Sequence, residues 1–415
     1  MGTSEIIRAR VLPQIIVRAM LFGALTLQAC SLFSHAQPAN DAPEPPPKVQ
    51  PEVTTKAPAA SAHASRHLAR SPKMKWSYDA GKNDLDNLMV GPDGTIYAAT
   101  LSKVLAVKAD GTEKWSFATG NESDRVSALV VGHGGDIYAG NLGGKVLALS
   151  PMGAQKWSFD AGKPVFSLAA SSDGAIYAEA GVLGGKILAL SPEGTQKWSY
   201  DCGDCTSSAL AAGRTDAVYA VTEHGSDTGK VIALSPEGAE KWSFDAGSSV
   251  RRLAVGSNGA IYTGTAGAAN DGKVIALTPE GAKKWSFDVH GSVWDFAMGR
   301  DGTIYINTGN SRAAKGKVFA LSPEGVEKWS FDGGKVSTLA VGRDGIIYAG
   351  TVDEIDADTN DDAYTGKVFA LTPAGNKKWS FDAGGVSALA VGRGRAIYAA
   401  TNQGSFGKVV ALSLP

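Results

Sequence analysis

The sequence predicts an all-β protein built from eight copies of one four-stranded unit, and three observations support this fold class. Of the 415 residues 51 are glycine, well above the average usage of roughly 7%, and their even spread indicates many turns. From residue 74 onward, Lys-Trp-Ser followed by an aromatic residue recurs eight times, 39 to 50 residues apart. Between the copies lie short runs rich in Val, Ile, Tyr and Ala, separated by Gly, Pro and Asp, as in chains of short strands.

Each unit contains four predicted strands, which we name a to d in chain order. Strand a follows the pattern VSALAVG, strand b IIYAG, strand c GKVFAL and strand d KWSF. The a–b turn contains sequences such as RDG, and the c–d turn contains SPEG. In such turns proline presets φ and glycine accepts the left-handed conformation.

The tryptophan of strand d shares one face of the strand with the aromatic residue two positions later. We therefore predict that each such pair packs against the next unit and has a structural docking role. The eight predicted docking residues are Trp76, Trp115, Trp157, Trp198, Trp242, Trp285, Trp329 and Trp379.

Closure of the repeat decides between a solenoid and a ring. Units of roughly 43 residues with four strands each are typical of β-propeller blades. The last a–b–c set ends in GKVVALSLP without a strand d, whereas the first Lys-Trp motif precedes the first set. We therefore predict an eight-bladed β-propeller over residues 74–415, in which residues 74–78 supply strand d of the last blade and leave no open end.

The residues before the repeats predict a signal peptide and a tether. An apolar stretch from Ala19, preceded by three arginines, ends in Leu27-Gln28-Ala29-Cys30, which resembles a bacterial lipobox. Residues 1–29 are therefore predicted to be a lipoprotein signal peptide and Cys30 to be lipidated. An ordinary signal peptide with an incidental cysteine is the alternative. Ser31 favours the outer membrane by analogy with lipoprotein sorting, and residues 30–73, rich in Pro and Ala, are predicted to form a flexible tether.

The repeat ALSPEGTQKWSY from Ala189, with its sister copies, resembles the tryptophan-docking repeat of pyrroloquinoline quinone (PQQ) type eight-bladed propellers. That superfamily includes quinoprotein dehydrogenases and the non-enzymatic BamB-like lipoproteins of the outer-membrane β-barrel assembly machinery. The resemblance implies the propeller fold for residues 74–415. For function it implies either a quinone-dependent oxidoreductase or a tethered interaction scaffold.

The two faces of the predicted disc differ in sequence. Alternating strand direction places the uniform a–b and c–d turns on one face, which we call the turn face. The b–c loops and d–a connections, which vary widely, lie on the other, which we call the loop face. Binding residues are often carried by loops on a rigid scaffold, so we expect the loop face to be the functional surface.

An acidic insert from Asp353 to Asp362 lies on the loop face. Its residues Asp356, Asp358, Asn360 and Asp362 form a candidate calcium loop, but Asp361 stands where an EF-hand has glycine and Lys367 where it has the closing glutamate. A solvated acidic loop and a weak calcium site both remain open.

Cys202 and Cys205 lie in one d–a connection on the loop face. The third cysteine, Cys30, lies in the leader, and no helix N-terminus is predicted here to lower a thiol pKa. Because an exported compartment permits disulfides, we predict a local disulfide, with a metal role and a redox role as alternatives.

The sequence favours a scaffold over an enzyme. No nucleophile, base and orienting residue can be identified together, and near-identical blades leave little room for a unique ligand set. In quinoprotein dehydrogenases adjacent cysteines stack on the cofactor, whereas Gly203 and Asp204 separate the pair here. We therefore predict no catalytic residues and no bound PQQ, with Ca²⁺ possible only at the acidic loop.

The predicted function is a non-enzymatic, membrane-tethered interaction scaffold of the bacterial envelope, located in the periplasm or at the cell surface. We expect a monomer that contacts an envelope protein or a cell-wall component through the loop face. The net charge of −1 argues against nucleic acid as a partner. The alternatives are a PQQ-dependent oxidoreductase and a carbohydrate-binding propeller.

Overall fold

The computed structural model describes residues 71–414 except 82–84, 86, 122–123, 182–183, 203–208, 214–216, 225–227, 267–270, 310–315, 354–364 and 404–405. These residues form eight four-stranded antiparallel sheets, and consecutive sheets pack on one another as the blades of a ring. The predicted eight-bladed β-propeller is confirmed.

The strands follow the predicted a–b–c–d order in every blade. The first strand is β1 (Lys73–Gly81). Blade 1 contains β2 (Asn87–Val90), β3 (Ile96–Ala99), β4 (Lys103–Val107) and β5 (Glu113–Ala118); blade 2 contains β6 (Val126–Val131), β7 (Ile137–Asn141), β8 (Lys145–Leu149) and β9 (Gln155–Asp160). Blade 3 contains β10 (Val165–Ala170), β11 (Ile176–Ala180), β12 (Lys186–Leu190) and β13 (Gln196–Asp201); blade 4 contains β14 (Leu210–Ala212), β15 (Val218–His224), β16 (Thr228–Leu234) and β17 (Glu240–Asp245).

The second half of the ring repeats this order. Blade 5 contains β18 (Ser249–Val255), β19 (Ile261–Ala266), β20 (Lys273–Leu277) and β21 (Lys283–Asp288); blade 6 contains β22 (Ser292–Met298), β23 (Ile304–Gly309), β24 (Lys317–Leu321) and β25 (Glu327–Asp332). Blade 7 contains β26 (Val336–Val341), β27 (Ile347–Thr351), β28 (Lys367–Leu371) and β29 (Lys377–Asp382). Blade 8 contains β30 (Gly385–Val391), β31 (Ile397–Gln403) and β32 (Phe406–Ser413), with a 3₁₀ turn at Arg393–Arg395.

The ring closes as predicted, because β1 is the outer strand of blade 8. It pairs antiparallel with β32 from Lys73 opposite Ser413 to Gly81 opposite Gly407. The strand is longer than the predicted segment 74–78. Its backbone groups therefore satisfy those of the last strand, and the sheet is completed from both ends of the chain.

The hydrophobic core lies between neighbouring blades. Strands b and c are buried on both sides, because alternate residues point to the preceding and the following blade. At the interface of blades 1 and 2, for example, Tyr97 and Val104 pack with Ile137 and Leu147. Each blade therefore depends on both neighbours, and closure of the ring completes the last interface.

Seven of the predicted docking tryptophans lie against the c–d turn of the next blade. In each, the indole Nε1 donates to a backbone carbonyl of that turn over 2.7 to 3.0 Å, from Trp76, Trp115, Trp157, Trp198, Trp242, Trp285 and Trp329. The ring covers the turn glycine. At Gly281 a Cβ atom would lie 2.5 Å from Cδ2 of Trp242, and its φ of +86° also favours glycine.

Trp379 is the exception at the interface of blades 7 and 8. Strands c and d of blade 8 come from opposite ends of the chain, so this blade has no c–d turn to receive an indole. Trp379 instead lies in a core cluster with Leu412, and Leu414 packs against that cluster. It is only 6% exposed, which makes it a core residue of the closing interface.

Candidate binding face and inner ring

The side chains of the turn face are used by the turns themselves. Asp93 in the a–b turn of blade 1 accepts hydrogen bonds from the hydroxyl and N–H of Thr95 and pairs with Lys114 over 3.0 Å. Burial alone would raise the pKa of Asp93, but these three donors outweigh it and lower the pKa from 3.8 to about 2. Asp301 in blade 6 repeats this arrangement with Thr303 and Lys328.

A shallow depression opens on the turn face among the a–b turns of blades 3, 4 and 5. Its volume is about 680 Å³, and small residues such as Ala170, Ser171, Ala212 and Gly256 line it. The described lining residues carry no ionisable side chain, so they offer no charged group to bind a ligand or to catalyse a reaction.

The rim of the loop face carries pairs of opposite charge. The lysine that begins strand c faces the aspartate that ends strand d, with separations of 3.4 to 4.0 Å in three blades, namely Lys273–Asp288, Lys317–Asp332 and Lys367–Asp382. All six side chains are largely exposed, so each pair contributes about 0 to 1 kcal/mol. These three pairs therefore add no net charge to the rim.

The predicted calcium loop and lipidation site lie outside the described residues, and so does Cys205. The ends of the acidic insert are held together where the N–H of Asp353 donates to the carbonyl of Thr365 over 2.7 Å. Cys202 is buried in the connection between blades 3 and 4, with its Sγ 3.0 Å from the carbonyl oxygen of Gly185. The disulfide and the calcium loop stay predictions.

Across the described part of the chain, no three His, Cys, Asp or Glu side chains converge in an arrangement that could hold a metal ion. In that same part, no helix has the length and apolar character needed to cross a membrane.

The innermost strands form a ring of polar contacts that sequence analysis missed. Strand a of each blade has one unpaired edge, and side chains of the preceding blade bond to that edge. The hydroxyl of Ser127 donates to the carbonyl of Val165, and Ser337 donates to Val386 over 2.5 Å. The available signal was the serine that follows the first valine of strand a in blades 2, 7 and 8.

Blades 5 and 6 depart from this ring. Arg251 and Trp294 occupy the position after the first valine of strand a, where blades 2 and 7 have serine, and Arg252 and Asp295 directly follow them. The guanidinium carbon of Arg251 lies 5.8 Å from the ring centroid of Trp294. Trp294 is the ninth tryptophan and the one outside the docking motif, a signal that sequence analysis left unused when it treated the blades as interchangeable.

Asp295 is a carboxylate enclosed by the inner ring. Its Oδ2 accepts from the N–H of Leu339 in blade 7 over 3.0 Å, and its Oδ1 accepts from its neighbour Phe296 over 2.9 Å. Burial raises the pKa of Asp295, and the charge of Arg252 and the hydrogen bonds oppose this only in part. Blades 5 and 6 thus place two arginines, an indole and a carboxyl group together.

Comparison with known proteins identifies the repeat. The sequence profile described as outer membrane protein assembly factor BamB matches residues 100–244 and 227–414. Comparison with curated protein sequences gives no match.

Among solved structures, BamB from Moraxella catarrhalis is 16% identical with a TM-score of 0.59, over 83% of this chain and 100% of that one. The C-terminal WD40 domain of Sif2 is 11% identical with a TM-score of 0.63, over 84% of this chain and 99% of that one. A catalytically inactive virginiamycin B lyase from Staphylococcus aureus is 14% identical with a TM-score of 0.53, over 71% and 97%. These likenesses show the propeller fold, and the profile match shows that the chain belongs to the BamB family of PQQ-type repeat propellers.

Proposed function

We propose that the protein is a non-enzymatic scaffold of the bacterial envelope, anchored by a lipid on Cys30, whose loop face binds another envelope protein. Family membership supports an interaction scaffold in general terms. The observation that carries the finer proposal is the contrast between the two faces. The residues that recur in every blade act in docking and turns, whereas the loop face varies from blade to blade.

The turn face has little left to offer a partner. Its glycines receive the docked tryptophans, and aspartates such as Asp93 and Asp301 are engaged by their own turns. Recurrence on this face is therefore explained by folding. Variation on a rigid frame is instead expected where a binding surface has become specific for its partner.

The tether fits an anchored scaffold. A flexible tether of about 40 residues, the length predicted before β1, would have an r.m.s. reach of roughly 35 to 40 Å, enough to hold the disc away from a bilayer. Replacement of Cys30 by alanine should abolish fatty-acid labelling and release the protein from the membrane fraction. Unchanged labelling would refute the anchor without affecting the proposed binding face.

In-cell photo-crosslinking tests the binding face. A photoreactive amino acid is placed at the exposed loop-face residues Asn121 and Asp353, and matched controls carry it at Met152 and Val326 on the turn face. We expect a discrete crosslinked protein from the loop face only, identified by mass spectrometry. Crosslinks from the turn face only, or from neither face, would contradict the proposal.

The same experiment separates the alternatives. Capture of peptidoglycan fragments instead of a protein would indicate a cell-wall-binding propeller. Incubation of the purified protein with PQQ and Ca²⁺ should give no quinone spectrum and no oxidation of alcohols or sugars. Turnover in that assay would replace the scaffold by an oxidoreductase.

A further inference from the structure

Blade 6 lacks the strand-a serine that bonds to the next blade, but another residue of blade 6 makes an equivalent hydrogen bond. In blades 2 and 7 the serine of strand a bonds to the next blade, and glycine stands at the fourth position of strand b. Blade 6 has Trp294 in place of the serine and Asn307 in place of the glycine. Asn307 Nδ2 donates to the carbonyl of Val336 over 2.9 Å, which restores the contact between blades.

Because Asn307 makes the contact between blades, Trp294 does not have to replace the hydrogen bond that serine makes in blades 2 and 7. The indole Nε1 is buried and has no hydrogen-bond partner within the described residues, although a buried indole N–H usually finds one. Its polar edge lies close to Gly309, where a Cβ atom would approach Nε1 to 2.6 Å. The side chain is nevertheless partly exposed, so the blade presents an indole at a position where blades 2, 7 and 8 carry serine.

The surroundings of Trp294 are cationic. Arg251 lies over the indole, and the exposed Arg252 follows it in the innermost strand of blade 5. One carboxyl group, Asp295, offsets one of the two positive charges. In blades 7 and 8 the equivalent positions carry the uncharged residues Ser337, Thr338, Ser387 and Ala388. Among the described residues at these two positions of strand a, arginine occurs in blade 5 only.

The position of this cluster gives it access from the loop face. Strand a begins at the d–a connection on the loop face, and Arg251 and Trp294 lie two residues after the start of their strands. The cluster is therefore within about 10 Å of the loop-face end of the inner ring. A channel lined by low-dielectric walls focuses the field of such charges. Planar guanidinium groups bind carboxylates through two parallel hydrogen bonds, and an indole face accepts a flat or apolar group beside them.

We propose that Arg251, Arg252, Trp294 and Asp295, which we call the Arg–Trp wall, bind a carboxylate group that enters the channel from the loop face. The excess of one positive charge matches a monoanion. Arg252 takes the carboxylate, Trp294 contacts the adjoining apolar part of the ligand, and Asp295 holds the strand edge of blade 7. The carboxylate comes from a free small acid or from an acidic side chain of an extended peptide.

Calorimetric titration of the full-length protein distinguishes the two sources. Benzoate is compared with benzamide, and a short acetylated Gly-Glu-Phe-Gly peptide is compared with the same peptide carrying glutamine. We expect at least one acid to bind, its neutral analogue not to bind, and affinity to fall with salt concentration. Binding of benzoate alone supports a free acid as ligand, and binding of the peptide alone supports an acidic segment. Failure of both acids to bind would overturn the proposal.

Variants locate the site. Arg252→Gln should weaken binding about tenfold or more, the loss expected for one charged hydrogen-bonding group. Arg300→Gln removes an exposed arginine from the turn face of blade 6 and should leave binding unchanged. The double variant Trp294→Ser with Asn307→Gly gives blade 6 the serine and glycine found in blades 2 and 7, so it should stay folded by circular dichroism yet lose binding. Undiminished binding by Arg252→Gln or by the double variant would overturn the proposal.

The outcome is independent of the proposed scaffold function. Crosslinking at Asn121 and Asp353 reports on the periphery of the loop face, whereas titration reports on the channel. Either result can fail while the other stands.

Discussion

Substitution of Gly281 by alanine tests the docking of tryptophan between blades. Gly281 has a φ of +86°, and a Cβ atom there would lie 2.5 Å from Cδ2 of Trp242. An alanine in the left-handed conformation costs about 1–2 kcal/mol. Because the methyl group cannot share its space with the indole, Trp242 must also move, and overpacking of this kind adds about 1–3 kcal/mol.

The hydrogen bond from Trp242 to the carbonyl of Pro279, at 2.9 Å, would weaken as the ring shifts. The total expected loss in the free energy of unfolding is therefore about 2–5 kcal/mol. Urea unfolding followed by tryptophan fluorescence and by far-ultraviolet circular dichroism measures this loss as a lower midpoint.

Gly94 provides the matched control. It has the same φ of +86° in a turn with the same backbone hydrogen bond, but no atom lies within 4 Å of the position of a Cβ. Gly94→Ala should therefore cost only the backbone strain of about 1–2 kcal/mol. Equal losses for the two variants would show that contact with tryptophan contributes nothing and would refute the docking argument.

Three further predictions follow from the fold. Removal of residues 1–81 deletes β1 and leaves the outer edge of β32 unpaired, so no cooperative thermal transition is expected, whereas a chain beginning at residue 71 should unfold like the full-length protein. The folded pKa of Asp93, about 2 against an ordinary 3.8, means that its contribution to stability is present above about pH 4 and is lost as the pH falls towards 2. The difference in urea midpoint between the protein and Asp93→Asn should therefore shrink over that interval, and a constant difference would contradict the assignment. Cys202 and Cys205 should resist alkylation until reduced, and their joint replacement by serine should cost about 2 kcal/mol; alkylation of both without reductant would exclude the disulfide.

The periodic features of the sequence predicted the fold because each of them is local. The Lys-Trp motif, the turn glycines and the missing last strand d are all visible without knowledge of contacts, and together they predicted eight blades and closure by β1. The different environment of Trp379 escaped prediction because it depends on the lack of a turn in another blade. The Lys-Trp-Ser motif is the same in all eight copies, so the motif itself does not distinguish Trp379 from the other seven tryptophans.

The inner ring could not be predicted for a different reason. In blades 2, 3, 5, 6, 7 and 8 the register of strand a shifts between its first valine and the residue two positions later. Such a bulge re-aims the intervening side chain, so strict alternation does not tell where it points. The contact between Arg251 and Trp294 also joins different blades. In the sequence the two residues are 43 positions apart and stand as unrelated substitutions in two repeats. The recurrent serine of strand a and the ninth tryptophan were the clues that a repeat alignment contained.

The pairing of β1 with β32 also sets an order of events during folding. The hydroxyl of Ser413 donates to the carbonyl of Lys73 across 340 positions of the chain. The hairpins within blades form between residues that are close in the chain, whereas this contact waits until the last residues have been synthesised. Until then, the first strand and the first blade present unpaired edges that can pair with other chains. An incomplete chain therefore holds an open and aggregation-prone array, and completion of the ring is the step that removes these edges from contact with other chains.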